Sequence, residues 1–195
     1  MLWTFRITFL LFLAWIVFMI SPFVALYDLA KAVEARDAAR IGERVNIRAL
    51  RVSLSRQIVG EYLKTDAGQE LSGFDQQSAT NAGTAIVNPV VEQLVTPEAL
   101  IDMLADGWPD QVAGNRRAAS LKFDIGSIQQ AWTLFVTSQS QGFRSITIPV
   151  PANVRKERQF KLTLRLSNLT WRLTGLELPV ALRQELIKRV PRATE

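Results

Sequence analysis

An uncharged stretch of 21 residues near the amino terminus constrains the fold of this chain more than any other feature. It runs from Ile7 to Tyr27 and reads ITFLLFLAWIVFMISPFVALY. The hydrocarbon core of a bilayer is about 30 Å thick, and a helix of about 20 apolar residues crosses it. The stretch therefore predicts a membrane-spanning helix, which we place at Leu2–Ile20.

Residues within and beside the span define its ends. Trp3 is expected to anchor it at the near interface, and Arg6 to extend its guanidinium group to the same interface. Pro22 has no amide hydrogen and disfavours helix in the residue before it, so the span is expected to end at Ile20. Ser21 would then cap a second helix that has Pro22 at its first position.

A cleaved signal peptide is the alternative interpretation of this stretch. Cleavage requires small residues at positions −3 and −1, and the first such pair, Ala30 and Ala32, lies inside the first predicted helix of the domain. An uncleaved anchor is therefore favoured. The Lys and Arg residues after the span favour a cytoplasmic domain, whereas a short basic tail before a first apolar segment is typical of a signal anchor. We expect the domain to lie outside the cytoplasm.

Composition excludes several kinds of chemistry. The chain contains no cysteine and no histidine, which removes disulfides, thiolate and imidazole metal ligands, and every catalytic triad with a histidine base. The sequence has neither a glycine-rich phosphate loop nor an acidic calcium loop. We therefore predict no catalytic residue, no metal ligand and no cofactor, and we lean toward a protein that is not an enzyme.

Charge and periodicity divide the rest of the chain in two. Residues 28–110 carry eight basic and thirteen acidic side chains, whereas residues 111–195 carry fourteen basic and five acidic ones. The acidic half has apolar residues at helical spacing, and the basic half has alternating apolar residues. Helices followed by strands predict an α+β domain. We expect several helices on a curved antiparallel sheet of four to five strands, closed by a short C-terminal helix.

The predicted elements follow from caps and stripes. Asn46 and Thr96 are candidate caps of two helices. The first of these helices carries the apolar stripe Ile47, Leu50, Leu54 and Ile58. We predict an anchor at residues 1–20 and one domain at 21–195. The domain would comprise a helical part at 21–107, a sheet part at 118–179 and a closing helix at 180–190. Alternation predicts strands at 121–125, 132–136, 146–150, 160–166 and 169–178.

A two-residue turn at Ser167-Asn168 is expected to join the last two strands. Trp171 would then lie opposite Leu164, and the apolar side chains of the hairpin would share one face. The apolar face is expected to pack on the helices. Gly175 is expected to lie opposite Phe160 and to introduce a bulge that shifts the residues after it out of register.

The segment at residues 21–57 resembles the opening of a bacterial family of membrane-anchored proteins that is catalogued only as a domain of unknown function. The shared pattern is Ser-Pro-aromatic at 21–23, Ala-Leu-Tyr at 25–27, Asp37, and Leu-Arg-x-Ser-Leu at 50–54. The family's Val-Asp before the second helix is Val-Asn here, which preserves a cap because Asn caps as well as Asp.

Later segments extend the resemblance to nearly the whole chain. They are Thr-Pro-Glu at 96–98, and Trp-Arg-Leu-Thr at 171–174 with Leu-Pro at 178–179. The resemblance implies a membrane-anchored bacterial protein, and it names no activity. Together with the span and the orientation argued above, it leads us to expect a single-pass protein of the bacterial inner membrane with a periplasmic domain. A more distant likeness to nuclear transport factor two-like and cystatin-like folds implies a cone-shaped pocket. Enzymes with such a pocket commonly use an Asp–His pair.

Two groups of charged residues were weighed as sites. Asp28, Glu34 and Asp37 share one predicted helix with Lys31 and Arg36, so a solvated face of ion pairs is favoured over a cation site. The second group is a basic run that enters a strand and continues on its partner, and it comprises Arg155, Lys156, Arg158, Lys161, Arg165 and Arg172. It indicates either an edge strand protected against pairing or a surface for anionic lipid headgroups. Nucleic-acid binding is not expected, because aromatic platforms are lacking.

The sequence therefore predicts a membrane-anchored, non-enzymatic module of the cell envelope. Its partners would be lipid headgroups or a protein of the envelope, met through the basic run. The alternative is a pocket protein, either a small-ligand binder or a hydrolase or isomerase that works without histidine. A deep apolar cavity with a convergent carboxylate would favour the alternative.

An uncleaved anchor has a direct test. We expect the full-length protein to stay in the membrane fraction after alkaline carbonate washing, because a spanning helix is not released by salt or high pH. The intact mass should include residues 2–20. Recovery of soluble protein that begins near Phe23 would show that the stretch is a cleaved signal peptide.

Overall fold

Helices come first in the chain and a four-stranded antiparallel sheet comes last, as expected for an α+β domain. The computed structural model describes residues 2–66, 76–106, 128–140, 142–150 and 155–188. The helices are α1 Leu2–Glu34, α2 Ala38–Arg44, α3 Ile47–Tyr62, α4 Gln76–Leu94, α5 Pro97–Asp106, α6 Ile128–Thr137 and α7 Val180–Ile187. The strands are β1 Gln139–Ser140, β2 Ser145–Val150, β3 Phe160–Ser167 and β4 Thr170–Glu177, in sheet order β1-β2-β3-β4.

Helix α1 passes through Pro22 without interruption, so the expected break at Ser21 is wrong. Proline lacks the amide hydrogen that would bond to the carbonyl of Phe18, four residues earlier. The hydroxyl of Ser21 donates to that carbonyl instead, at 2.8 Å. The predicted anchor and the first helix of the domain are therefore one continuous helix.

The side chains of α1 change from exposed to buried at the point where the predicted span ends. Side chains are exposed from Trp3 to Ile20, with Ile16 half-buried, and Pro22 is buried. At a rise of about 1.5 Å per residue this exposed part is about 27 Å long, close to the thickness of a bilayer core. Among the described residues, α1 is the one helix whose length and composition suffice to cross a membrane.

Two predicted caps are confirmed. The side chain of Asn46 accepts a hydrogen bond from the amide of Ala49 at 3.0 Å, and the hydroxyl of Thr96 accepts one from the amide of Ala99 at 3.1 Å. Each side chain satisfies an amide that the first turn of a helix leaves without a partner. These caps fix the starts of α3 and α5.

Residues 132–136 form part of helix α6, so the predicted strand there is wrong. Apolar residues occupy most of positions 131–136 and satisfy a period of two as well as a helical one. Leu134 is buried and α6 packs on β2, which decides the choice in favour of helix. The predicted sheet part at 118–179 therefore includes a helix. Its first predicted strand, at 121–125, lies outside the described residues.

The β3–β4 turn lies one residue later than predicted. Asn168 and Leu169 form it, with φ of 48° and 61°, the left-handed pair that a type I′ turn requires. Trp171 consequently pairs with Leu166 rather than with Leu164. This pairing differs from the expected one by two residues, an even number, so side chains between the turn and Leu173 keep their predicted faces.

A bulge interrupts the pairing of β3 with β4, as predicted, but at a different place. Register shifts between Thr163 and Leu164, and Gly175 lies opposite Thr163 rather than Phe160. A Cβ at Gly175 would come within 3.2 Å of the Thr163 Cβ, so glycine permits this close approach. The shift turns both Leu173 and Leu176 toward the core.

Helix α3 runs beside β4 and covers the apolar face with its predicted stripe. Leu50, Leu54 and Ile58 are fully buried. The side-chain amide of Gln57 donates to the Leu176 carbonyl at 2.7 Å and accepts from the Leu178 amide at 3.0 Å. These bonds satisfy backbone groups at the edge of the sheet, where a further strand would otherwise pair.

The cap of α3 provides a test of this fold. Replacement of Asn46 with Ala is expected to lower the free energy of unfolding by about 1 kcal/mol, because the amide of Ala49 loses its partner. Asn46→Asp is the matched control, because a carboxylate can accept the same bond. Denaturant unfolding of the full chain in detergent measures both. Equal losses for the two variants would contradict a capping role.

Candidate functional site

Two contacts fix the direction of β4 along α1. Arg44 forms an ion pair with Asp28, and Val45, the next residue, is bridged to Leu173 of β4. Two residues closer to the turn, Trp171 bonds to Ser21, which lies seven residues before Asp28 on α1. Strand β4 therefore begins near the exposed part of α1 and runs away from it.

Both sheet turns lie at this end of the domain. The amide of Leu166 donates to the carbonyl of Arg144 at 2.8 Å, and Ser145 pairs with Arg165. The turn between β1 and β2 is thus beside the turn between β3 and β4. We call the residues at these two turns, 142–144 and 168–169, the anchor-proximal edge.

Exposed apolar side chains project from the anchor-proximal edge. Phe143 is 86% exposed and Leu169 is 95% exposed. Leu169 also has a φ of 61°, a conformation in which glycine and asparagine are favoured over leucine. An apolar side chain is thus present where both solvation and backbone conformation disfavour it.

Three arginines lie in or near the anchor-proximal edge. Arg144 belongs to the edge, and Arg165 and Arg172 are cross-strand partners just beyond it. All three are exposed, and none forms an ion pair or side-chain hydrogen bond within the part of the chain that the structure describes. Arg165 and Arg172 carry like charges directly opposite each other, an arrangement that is unfavourable in a sheet.

The structure divides the predicted basic run into two groups. Arg155, Lys156 and Arg158 lie at the start of β3, whereas Arg165 and Arg172 lie near its end. Seven steps of about 3.3 Å separate the ends of this strand by about 23 Å. Between them, Lys161 forms an ion pair with Glu177 at 3.0 Å. The six residues therefore do not form one continuous surface.

A cluster of aromatic and hydroxyl groups joins α1 to the sheet. The indole nitrogen of Trp171 donates to the Ser21 hydroxyl at 2.7 Å, and that hydroxyl donates to the carbonyl of Phe18. The rings of Phe18 and Trp171 lie 6.4 Å apart, and those of Phe23 and Phe135 lie 5.5 Å apart. The sheet is thereby held against the last turns of the exposed part of α1.

A cavity of about 510 Å³ lies between α1, α6 and the anchor-proximal edge. Its α1 wall includes Trp15, Phe18 and Met19, and its sheet wall includes Ile146 and Trp171. The lining contains serine hydroxyls and no charged side chain. The described lining therefore has no acid or base for proton transfer, and it fits an apolar group.

A second groove of about 510 Å³ lies on the opposite face of the sheet, beside α3 and α7. Arg56, Arg165 and Arg183 line it, together with polar side chains of α3 and the sheet. Glu177 lines it as well, so its walls carry both signs of charge with arginine in excess, whereas the described lining of the first cavity has no charged side chain. The two faces of one sheet differ sharply in the ligands that they suit.

Asp37 lies in the loop after α1 and not on one helix with Asp28 and Glu34 as predicted, and all three carboxylates are engaged in ion pairs or a cap. Asp28 pairs with Arg44, Glu34 pairs with Lys31 at 3.2 Å, and Asp37 accepts from the backbone amide of the residue three positions later. The hydrogen bond and charge of Glu34 raise the pKa of Lys31. No group of three or more metal-ligating side chains occurs in the segments described.

Sequence reasoning missed the residues that form the anchor-proximal edge. Phe143 follows a glycine in a short turn, and Leu169 occupies the second central position of the hairpin turn. The available signal was local: large apolar residues stood where turns normally carry small or polar ones. Their proximity depends on the pairing of β2 with β3, which the sequence leaves open.

Residues 11–103 match the model of a family described as "Protein of unknown function (DUF2939)". This confirms the predicted relation to a family whose function is unknown, and it places that relation in the helical half of the chain. The resembling segments in β4 lie outside the matched range. No match was found among curated proteins or among solved structures.

The bond between Trp171 and Ser21 can be tested by a double-mutant cycle. Ser21→Ala is expected to lower the free energy of unfolding by about 1–3 kcal/mol, because a buried indole nitrogen loses its acceptor. Trp171→Phe removes the donor and keeps an aromatic ring. The double variant should cost less than the sum of the two, since both changes break one bond.

A matched control comes from Ser138, whose hydroxyl also donates to the carbonyl three residues earlier but accepts no indole bond. Ser138→Ala should therefore be additive with Trp171→Phe. Denaturant unfolding in detergent gives all the values. Additive costs for Ser21 and Trp171 would show that the bond contributes nothing to stability.

Proposed function

We propose that the protein is a single-pass, membrane-anchored module whose anchor-proximal edge docks on the bilayer that α1 crosses. We place the domain on the periplasmic face of a bacterial inner membrane, where a signal anchor with a short basic tail would leave it. The observation that carries the proposal is the exposure of Phe143 and Leu169 at the end of the domain nearest the exposed part of α1.

Position supports contact between this edge and lipid. The exposed part of α1 ends at Ile20, and Trp171 is joined to Ser21, the next residue. Because β4 runs away from this level, its turn extends toward the exposed helix. If residues 2–20 span the bilayer, Phe143 and Leu169 lie at the depth where headgroups meet acyl chains.

Energetics support the same arrangement. Burial of apolar surface contributes about 25 cal/mol per Å², so insertion of two large side chains is favourable. Each Lys or Arg near an anionic surface adds about 1 kcal/mol, and Arg144, Arg165 and Arg172 are available for lipid phosphates. Insertion also compensates the unfavourable backbone conformation of Leu169.

The rest of the predicted basic run has a different place in this proposal. Arg155, Lys156 and Arg158 lie about 23 Å farther along β3, beyond the reach of headgroups contacted by the edge. An acidic protein of the cell envelope is the partner that their charge would fit. The module itself would act by binding, because its apolar cavity presents no ionisable side chain among the described lining residues.

The absence of cysteine from the chain allows a single-site fluorescence test of docking. A nitrobenzoxadiazole label is attached to Leu169→Cys in the full protein, which is reconstituted in vesicles that contain phosphatidylglycerol. We expect blue-shifted emission and quenching by nitroxide-labelled lipids, because the label enters the bilayer interface. Val52→Cys on α3, also an exposed apolar position, is the control and should report water.

Charge is tested in the same vesicles. Replacement of Arg144, Arg165 and Arg172 with Gln should weaken quenching at position 169 in anionic vesicles and leave it unchanged in neutral ones. Salt of about 1 M should act like the triple variant, because the Debye length falls to about 3 Å. Water-like emission at position 169 in anionic vesicles would contradict the proposal.

A further inference from the structure

The cavity between α1 and the sheet is large, uncharged and placed at the end of the exposed helix. Its volume of about 510 Å³ falls within the range of about 300–1,000 Å³ usual for small-molecule sites. If water filled the cavity, its aromatic and aliphatic walls would stay hydrated, and the favourable free energy of burying apolar surface would not be gained. The cavity therefore suits an apolar occupant.

Its walls indicate where that occupant comes from. Trp15, Phe18 and Met19 belong to the exposed part of α1, and the same three residues form one wall of the cavity. Phe143, at the anchor-proximal edge, lies at the opposite wall. If the exposed part of α1 spans the bilayer, the cavity is continuous with the acyl-chain region, and an occupant can enter it without crossing water.

We propose that the cavity takes one acyl chain of a bilayer phospholipid, an inference that rests on the membrane seating of the domain proposed above. The chain would lie between the α1 wall and the buried side chains of Ile146 and Trp171. Free fatty acid fits less well, because the described lining offers no cation to a carboxylate at the end of the chain. A phospholipid keeps its charged headgroup outside, beside Arg144.

Two residues on α1 provide a matched pair of variants. Met19 lines the cavity and is 38% exposed, so Met19→Trp is expected to fill the space and exclude a chain. Val17 is 61% exposed and is not among the cavity's lining residues. Val17→Trp therefore introduces the same large side chain on the same helix, two residues away, without filling the cavity.

The experiment uses the full-length protein in phosphatidylglycerol vesicles doped with a phospholipid that carries a diazirine in the middle of one acyl chain. After illumination, adducts are mapped by peptide mass spectrometry. We expect an adduct at Ile146, a buried residue that lines the cavity. Met19→Trp should lose this adduct, and Val17→Trp should retain it.

Other adducts separate failure of this inference from failure of the docking proposal. Labelling at Leu169 without labelling at Ile146 would overturn acyl-chain binding and leave docking intact. Absence of labelling at both, with adducts only on the exposed part of α1, would overturn both. An adduct at Ile146 that survives Met19→Trp, or that a diazirine fatty acid gives and the phospholipid does not, would also overturn the inference.

Discussion

A carbonyl without its amide donor, created by Pro22, determines how this protein is assembled. Proline removes the donor that Phe18 would use, and the Ser21 hydroxyl takes its place. That hydroxyl also accepts a hydrogen bond from Trp171. The serine that satisfies the helix carbonyl therefore also connects the helix to the sheet, and we call this connection the joint. Side-chain hydroxyls commonly satisfy such carbonyls in membrane helices, where no water is available. Here one serine keeps α1 continuous and holds the sheet at a defined height on it.

This joint has consequences for every element of the sheet. Trp171 stands at the start of β4, so the strands run away from the exposed part of α1 and both turns remain close to it. The ion pair between Asp28 and Arg44 holds the same alignment farther along, through the bridge from Val45 to Leu173. In the docking that we propose, the sheet meets the membrane through the anchor-proximal edge. That orientation would place Arg165 near headgroups and keep Arg158 away from them.

Much of the fold could be predicted from local chemistry, and the site could not. Asn46 and Thr96 act as caps because a side-chain oxygen and an amide three residues later suffice for the interaction. The faces of β3 and β4 between the turn and Leu173 were predictable because alternation survives an even shift of register. The position of the turn was not, since it required Leu169 in a left-handed conformation that asparagine or glycine would normally occupy. Helix α6 was missed because its apolar residues are consecutive, and only the packing of Leu134 against β2 distinguishes helix from strand.

The same unfavourable residue explains why the site depends on tertiary structure. Leu169 breaks two local rules at once, with a φ of 61° and 95% exposure, and neither helps the isolated domain. Such violations are expected where a requirement other than folding selects the side chain. Phe143 breaks the rule of exposure alone, and β-sheet pairing brings its turn beside the turn that contains Leu169. Two independent turns therefore each contribute an apolar side chain to one edge beside the exposed helix. A favourable interaction within one turn would not explain the apolar side chain in the other. In the docking that we propose, the bilayer would supply an apolar environment at that edge, and this environment accounts for both residues together.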